Sequence, residues 1–341
     1  MKLITFAVPS YNSEAYLEKC VDSLLVGGPE VEIIIVNDGS TDHTAEIADR
    51  YAREYPDIVR VIHKENGGHG SGVNAGLAQA SGLYYKVVDS DDRLEAGALR
   101  RLLKVVRTHE EKKIAADLYI TNFVYDKPST GKSFTRHWRG CLPRNSFCDW
   151  NDAKSFFAAR VMMMHALLYR TEKLRACGLK LPERTFYVDI LYAYQPLPYM
   201  KRLYYLDVDL YIYFIGRDDQ SVNVNNFKKR YDQQLRVMRA MVDAYRSDEL
   251  DALPAGLRRY MYHNISAIMM NTILFCTSGG DDEKRKSAYL ALWKHIRYRD
   301  PELYRRMRRS YPALLVYLPW KLRGKVALWG YHMLCRRIPL G

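Results

Sequence analysis

The sequence has little of what membrane-spanning, zinc-binding and secreted proteins require. Its longest apolar runs, residues 311–320 and 326–335, fall short of the roughly 18 residues that span a bilayer. Its six cysteines are scattered, without a C-x-x-C pair or a Cys/His cluster at metal spacing, so we expect reduced thiols. Residues 1–10 lack the long apolar stretch of a signal peptide. We therefore expect the protein to stay on the cytoplasmic side of the membrane.

The positive charge of the sequence is concentrated at its carboxyl end. The chain carries 52 Lys and Arg against 39 Asp and Glu, a formal net charge of +13. Residues 299–341 alone hold ten basic and two acidic residues, interleaved with tyrosine and tryptophan. This mixture suits the headgroup region of an anionic membrane, or else a solvated helical end that packs on its own domain. Since the sequence has no RNP or zinc-finger motif, we expect no nucleic-acid partner.

Apolar segments alternate with amphipathic ones over the first 125 residues. VEIIIVND (residues 31–38) is an almost continuous apolar run, which is typical of a central parallel strand buried on both faces. The alternation predicts an α/β fold with a doubly wound, mostly parallel sheet, whose ligands bind beyond the carboxyl ends of the strands. The predicted strands are residues 3–9, 31–38, 58–62, 83–88 and 118–123.

The rest of the chain is first irregular and then helical. We expect a helix at residues 151–160, two short strands within the tyrosine-rich residues 203–214, and long helices beyond about residue 222. The sequence thus predicts an α/β domain over residues 1–222 and a helical region with the basic, aromatic tail over residues 223–341. His165 lies in an apolar segment without a metal-ligand partner nearby in the sequence, and we interpret it as a core histidine.

Carboxylates gather where two predicted strands end. DSDD (residues 89–92) follows the fourth strand, and Asp38 ends the second. Because crowded carboxylates repel one another and are costly to desolvate, such a group usually shares a cation. Oxygen ligands two residues apart suit Mg²⁺ or Mn²⁺ together with substrate phosphates. An acidic cap on the next helix would explain Asp91 or Asp92 alone, but not Asp38 as well.

Five short motifs follow one another in a fixed order between residues 8 and 92. They are VPSYN (8–12), IVNDGSTD (35–42), ENGG (65–68), NAGL (74–77) and VDSDD (88–92). In this order they resemble the family 2 glycosyltransferases of the GT-A fold, densely to about residue 100 and more loosely to about residue 222. The resemblance implies an inverting hexosyl or N-acetylhexosaminyl transfer from a nucleotide sugar, most often a UDP-sugar, with one divalent metal, Mn²⁺ or Mg²⁺.

The same resemblance implies a set of site residues. Asp89 would lie near the ribose or in the metal shell, and Asp91 would bind the metal that bridges the diphosphate. Arg217, in the loop GRDDQSVN (residues 216–223), would pair with phosphate oxygens or remain a solvated loop residue. The nucleoside side of the site would comprise Pro9, Tyr11, Asp38, Asn66 and Gly67.

Inversion requires one carboxylate base, since the acceptor hydroxyl attacks in a single in-line step. In the family this base is the Asp of a Glu-Asp pair that opens a helix beyond the metal motif, and FYVDILY (residues 186–192) resembles that segment. Asp189 is therefore the predicted base, although Val188 stands where the family has Glu. Glu183 is the nearest substitute, and an ordinary carboxylate at a helix start is the alternative interpretation of Asp189.

The glycine-rich stretch ENGGHGSGVNAG (residues 65–76) matches neither of the two common phosphate-binding motifs, the dinucleotide-binding fingerprint and the P-loop. It does not meet G-x-G-x-x-G in register, it follows the third predicted strand rather than the first, and it lacks G-K-[ST]. The resemblance makes it a wall of the nucleotide site, where missing side chains let backbone approach. Relatives commonly have Arg where this sequence has Val73, so His69, Ser71 or backbone N–H groups are candidate phosphate contacts.

Two other functions remain open. A sugar nucleotidyltransferase shares a similar core but needs a glycine-rich, basic loop at the first strand, which VPSYN does not provide. A membrane-associated glycan- or nucleotide-binding protein with an inactive GT-A fold would use the basic tail without catalysis. For the transferase we expect a nucleotide-sugar donor and a cell-surface glycan or lipid-linked acceptor. We also expect peripheral contact of residues 299–341 with the anionic inner face of the cell membrane.

Overall fold

The structure is a computed structural model that describes residues 1–154, 161–216, 227, 229–278, 282–310 and 312–337. By its internal contacts the chain divides into two compact units. Met1–Ala153 and Met162–Phe214 form the first unit, and Lys154–Val161 and Ile215–Gly341 form the second. The first unit contains the sheet and every predicted site residue except Arg217, which lies outside the described residues.

Four parallel strands form one half of the sheet, in the order β3-β2-β1-β4. β1 (Ile4–Ser10), β2 (Val31–Asp38) and β4 (Tyr84–Val87) are buried at every position, because both of their faces are covered. β3 (Val59–Lys64) is the edge strand and is only partly buried. These strands run in the same direction, so their carboxyl ends, and the residues that follow, meet at one edge of the sheet. This half confirms the predicted parallel α/β arrangement.

The other half of the sheet is mixed. β9 (Leu167–Arg170) runs antiparallel between β4 and β6 (Leu118–Lys127), and β6 pairs in parallel with β10 (Leu203–Phe214). The prediction of two short strands in residues 203–214 is wrong: β10 is one strand of 12 residues. Register shifts in its middle interrupt the alternation that a regular strand would show. Short antiparallel strands are β5 (Arg93–Leu94), β7 (Lys132–Arg136) and β8 (Phe147–Cys148).

The helices of the first unit pack through apolar faces. In α1 (Leu17–Leu25) the buried positions follow the i, i+3, i+4, i+7 spacing of an amphipathic helix, and they are Leu17, Cys20, Val21 and Leu24. Further helices of this unit are α2 (Thr44–Glu54), α3 (His69–Gln79), α4 (Ala96–Glu111), α5 (Thr171–Ala176) and α6 (Asp189–Tyr194). Most of the predicted helix at residues 151–160 lies outside the described residues; residues 151–154 are not helical.

The second unit is helical in its described part. Its helices are Tyr231–Ala244, Ser247–Asp251, Ala255–Thr277, Glu283–Arg299, Pro301–Met307, Ala313–Val316 and Trp320–Arg337. Some of the basic tail residues are used inside this unit, since Arg306 pairs with Asp251 at 2.8 Å and Arg299 pairs with Asp243 at 2.9 Å. Across the described ranges, no helix has both the length and the apolar character needed to cross a bilayer.

Candidate active site

Asp38 ends β2 and anchors the chain that follows β3. Its carboxylate accepts hydrogen bonds from the N–H groups of Gly67 and Gly68, at 2.9 and 2.7 Å, and pairs with Lys64 at 2.7 Å. Gly68 has a φ of +81°, a backbone conformation that favours glycine. Asp38 is buried, and these partners all lie on residues 64–68. In this structure its carboxylate holds the start of the glycine-rich stretch in place.

The glycines of α3 allow two other segments to approach closely. A Cβ at Gly72 would lie 2.9 Å from the Cβ of Pro9 on β1. A Cβ at Gly70 would lie 2.5 Å from the carbonyl oxygen of Pro182. Real Cβ atoms do not come this close, so glycine is required for the observed packing. The glycine-rich stretch is therefore a packing surface for β1 and for residues 181–188, which we name the 181–188 segment.

The 181–188 segment leads to Asp189 and is fastened to α3. Asn74 exchanges two 2.9 Å hydrogen bonds with the backbone N–H and carbonyl of Leu181. The N–H of Arg184 donates to a carbonyl of the glycine-rich stretch at 2.6 Å. Arg184 and Tyr187 have positive φ values of 48° and 64°, which are uncommon outside glycine and persist only where surrounding contacts hold them. The position of Asp189 thus depends on the glycines and Asn74 of α3.

Replacing Gly70 with alanine is expected to displace the 181–188 segment. The added Cβ would meet the backbone oxygen of Pro182, which cannot rotate away. We expect a loss of about 1–3 kcal/mol in the free energy of unfolding from overpacking, only partly offset by the better helix propensity of alanine. Urea unfolding followed by circular dichroism measures this loss. Gly97→Ala in α4 is the matched control, since its nearest atoms belong to the flexible Glu95 side chain. Equal losses in both variants would contradict the packing role of Gly70.

Asp89 follows β4 and lies between two histidines. Its Oδ1 is 2.8 Å from Nε2 of His69, and its Oδ2 is 3.8 Å from Nε2 of His165. The N–H of Asp89 donates to the Tyr211 hydroxyl at 3.1 Å. Burial opposes ionisation of Asp89, but the interactions with His69 and His165 together outweigh it and hold the pKa of Asp89 well below its usual range. Although burial of the His69 ring opposes it, Asp89 in turn raises the pKa of His69. Asp89 is therefore an ionised carboxylate at neutral pH.

The two aspartates that follow differ in their surroundings. Asp91 is partly exposed in the turn after β4, whereas Asp92 is buried. Asp92 accepts hydrogen bonds from the Tyr211 hydroxyl at 2.6 Å and from a backbone N–H of β10 at 2.8 Å. Burial, reinforced by the charges of Asp91 and Asp89, raises the pKa of Asp92 well above its usual value. Side-chain ligand atoms of Asp89, Asp92 and His165 lie within 4.8 Å of one another, so the structure adds His165 to the acidic group.

His165 is buried, as the sequence indicates, but it forms part of the wall beside Asp89. Its ring stacks on Tyr213 with the centroids 4.4 Å apart and meets Tyr211 edge-on at 4.7 Å. Lys86 of β4 is fully buried and donates to the carbonyl oxygen of His165 at 2.6 Å. Sequence reasoning missed the proximity of His165 and Lys86 to Asp89, because both lie in apolar segments without a recognisable motif.

Lys86 is expected to make stability depend on pH. Burial lowers its pKa to about 7, although Asp89 opposes the shift. An unfolded lysine titrates near 10.4, so between about pH 7 and about pH 10 the unfolded state binds the extra proton and stability rises with pH. We expect the unfolding free energy of the wild type, relative to Lys86→Met, to rise by about 1.4 kcal/mol per pH unit there and to be flat below about pH 7.

Urea unfolding of both proteins in metal-free buffer at several pH values measures this difference. Lys104→Met is the control for losing a lysine, since Lys104 is exposed on α4. A wild-type minus Lys86→Met difference that does not change above about pH 7 would show that Lys86 is not a desolvated amine.

Asp189 is the first residue of α6, and its charge interacts with those of His165, His69 and Asp89. Burial raises the pKa of Asp189 above its usual value, and the two histidines oppose this rise. The site thus holds a carboxylate that is firmly ionised, Asp89, and a second one with a greater affinity for protons. Active sites commonly contain two such carboxylates. One stays ionised and stabilises positive charge, and the other, with its raised pKa, transfers a proton.

The remaining predicted residues are distributed along the same strand ends. Pro9 is buried near the end of β1, and Tyr11 directly beyond it is 52% exposed. Asn66 and the substitute base Glu183 are exposed, whereas Gly67 is buried and bonded to Asp38.

Comparison with known proteins points to the same family as the five sequence motifs. The sequence profile of Glycosyl transferase family 2 matches residues 5–170. Uncharacterized glycosyltransferase EpsJ of Bacillus subtilis (strain 168) is 39% identical over 118 residues, which make up 34% of this chain and 34% of EpsJ. The chain thus spans about a third of the length of this curated relative.

Two solved structures share the fold. S. aureus TarS 1–349 in complex with UDP-GlcNAc superposes with a TM-score of 0.58 at 20% identity and covers 92% of both chains. Mannosyltransferase PcManGT from Pyrobaculum calidifontis, in complex with GDP-Man and Mn²⁺, has a TM-score of 0.55 at 13% identity and covers 96% of this chain and 84% of its own. The predicted GT-A type of α/β fold is confirmed. The resemblance is confirmed as well, since the model of glycosyl transferase family 2 matches residues 5–170.

Proposed function

We propose that the protein is a metal-dependent, inverting glycosyltransferase. It moves a hexose or N-acetylhexosamine from a UDP-sugar to a hydroxyl of a cell-surface glycan or lipid-linked acceptor. The observation that carries this proposal is the position of two carboxylates at one edge of a GT-A sheet. Asp89 lies 2.8 Å from His69 and 3.8 Å from His165, and Asp189 interacts electrostatically with the same three groups. Bound UDP-GlcNAc in TarS, and GDP-Man with Mn²⁺ in PcManGT, support a nucleotide-sugar donor.

We assign the divalent cation, Mn²⁺ or Mg²⁺, to Asp89 and Asp91. Asp89 fits such an ion, because its carboxylate faces a buried imidazole, that of His165, which has no hydrogen-bond partner among the described residues. When bound, the cation supplies positive charge that stabilises the leaving diphosphate. His69 orients Asp89 through its 2.8 Å contact.

Asp189 acts as the general base. As the acceptor oxygen bonds to the anomeric carbon, its proton passes to the Asp189 carboxylate, and the electrons of the broken C–O bond leave with the diphosphate. One such displacement inverts the anomeric centre. A raised pKa brings the proton affinity of Asp189 closer to the working pH, which favours base catalysis.

The nucleoside is assigned to the ends of β1 and β2. The exposed ring of Tyr11 offers apolar surface for the base, and the buried Pro9 lies two residues before it on β1. Asp38 fixes the backbone of Gly67, beside the exposed Asn66. Arg217 is proposed to pair with the diphosphate, and residues 1–222 to form the catalytic domain.

A screen of nucleotide sugars tests the proposed reaction. The full chain is incubated with UDP-, GDP- and TDP-sugars, with and without Mn²⁺, and the released nucleotide is measured. We expect UDP release that depends on Mn²⁺. Metal-dependent UDP binding without turnover would identify an inactive GT-A binding protein. Sugar-nucleotide synthesis from a nucleoside triphosphate would identify a nucleotidyltransferase.

We further propose that residues 299–341 bind the cytoplasmic face of the membrane. This contact would give the enzyme access to its acceptor, and we assign that task to the helical region 223–341, which contains these residues. Leu314 and Trp329 are 77% and 65% exposed, within the basic tail. Large apolar side chains among basic residues suit insertion into the headgroups of an anionic bilayer.

Vesicle sedimentation tests the membrane contact. We expect the full chain to pellet with phosphatidylglycerol vesicles but not with phosphatidylcholine vesicles. The double variant Leu314→Glu/Trp329→Glu should lose most of this binding. Leu290→Glu is the matched control, since Leu290 is an exposed leucine of the helix Glu283–Arg299. Equal pelleting of the double variant and the wild type would refute this surface.

A further inference from the structure

The ring nitrogens of His165 are buried and have no hydrogen-bond partner among the described residues. The side chain of His165 is 3% exposed. Its Nε2 faces Oδ2 of Asp89 at 3.8 Å, which is too long for a hydrogen bond. Buried polar atoms are nearly always paired in folded proteins, because leaving one unpaired costs its solvation. The geometry thus calls for a group between this nitrogen and the carboxylate.

The imidazole is also held in a fixed orientation. Tyr213 stacks on one side of the ring, and Tyr211 meets it edge-on. Lys86 fixes the backbone by donating to the carbonyl of His165 at 2.6 Å and to that of Leu167 at 3.3 Å. Packing and backbone hydrogen bonds already immobilise this ring. The ring would therefore lose little conformational entropy on binding a metal ion.

We propose that Nε2 of His165 ligates the divalent cation that is assigned to Asp89 and Asp91. This inference rests on the metal dependence in the proposed function. Ligand atoms of Asp89, His165 and Asp92 all lie within 4.8 Å of one another, a span that one cation can occupy. Both oxygens of Asp92 already accept hydrogen bonds, so we assign the nitrogen donor, not Asp92, as the additional ligand. An imidazole donor favours a transition-metal ion such as Mn²⁺ over Mg²⁺.

Pulsed electron paramagnetic resonance of bound Mn²⁺ tests this ligand directly. The full chain is loaded with Mn²⁺ and UDP, and the echo envelope is examined for coupling to nitrogen. We expect a histidine ¹⁴N signal in the wild type, which changes to a ¹⁵N pattern when the protein is grown with ¹⁵N-histidine. This comparison uses the unaltered sequence and needs no variant to fold.

Two histidine variants then identify the residue. His165→Phe keeps an aromatic ring in the stack and should lose the nitrogen signal and at least about tenfold in Mn²⁺ affinity. His69→Gln removes the other histidine beside Asp89 and should keep the signal. Mn²⁺ bound with UDP but without histidine coupling, or a signal lost only in His69→Gln, would overturn the assignment of His165 while leaving the proposed function intact. If no Mn²⁺ binds, the inference and the metal dependence both fall, and UDP release in EDTA still decides whether transfer occurs.

Discussion

Asp189→Asn should lower kcat for sugar transfer by about 10²- to 10⁴-fold and leave UDP binding unchanged. The amide keeps the size of the side chain but cannot accept the proton of the acceptor hydroxyl. Because Asp189 is proposed to act on the acceptor and not on the nucleotide, its loss should appear in kcat. UDP release at saturating donor and acceptor measures kcat, and titration calorimetry measures UDP affinity.

The pH profile and one control variant make this expectation specific. A base must be deprotonated, so kcat/KM of the wild type should fall as the pH drops through the pKa of Asp189. Burial raises that pKa, and the acid limb should therefore lie above the range of an ordinary aspartate. Glu183→Gln, at an exposed position of the same segment, should keep activity near that of the wild type. Loss of activity in Glu183→Gln with activity retained in Asp189→Asn would transfer the role of base to Glu183.

The parallel half of the fold could be predicted because its strands are buried on both faces. The apolar run predicts a strand at residues 31–38, and the structure has β2 at Val31–Asp38. Since the carboxyl ends of parallel strands meet at one edge of the sheet, the sequence also indicates that Asp38 and Asp89 both lie there. The hydrogen-bond partners of these two aspartates differ. Asp38 bonds to Lys64 and to backbone N–H groups, and no sequence motif identifies these partners.

The group of Asp89, Asp92 and His165 could be predicted only in part, because His165 comes from a distant segment. β9 runs antiparallel between β4 and β6, and a local apolar pattern carries no information about the direction of a strand. That placement brings His165 to Asp89. In the same way, Gly70 is required by its contact with the 181–188 segment, and the sequence of α3 alone does not reveal this neighbour.

Asp91 and Asp92 are adjacent, yet their substitutions should affect different properties. Asp91→Asn should reduce Mn²⁺-dependent UDP release at least about 10³-fold, since loss of a metal carboxylate removes charge where the diphosphate leaves. Its unfolding free energy should stay within about 0.5 kcal/mol of the wild type, because Asp91 is partly exposed.

Asp92→Asn should instead cost about 1–3 kcal/mol of unfolding free energy. Two donors, the Tyr211 hydroxyl and the N–H of Phe214, point at the two oxygens of Asp92, and an amide offers only one oxygen to them. Calorimetric titration of Mn²⁺ with UDP, together with urea unfolding of both variants, separates the two effects. Retained Mn²⁺ affinity in Asp91→Asn, with affinity lost in a stable Asp92→Asn, would make Asp92 the metal carboxylate. Because the residues are neighbours, a general disturbance of the turn would change both measurements in both variants, and only a division of roles gives opposite results.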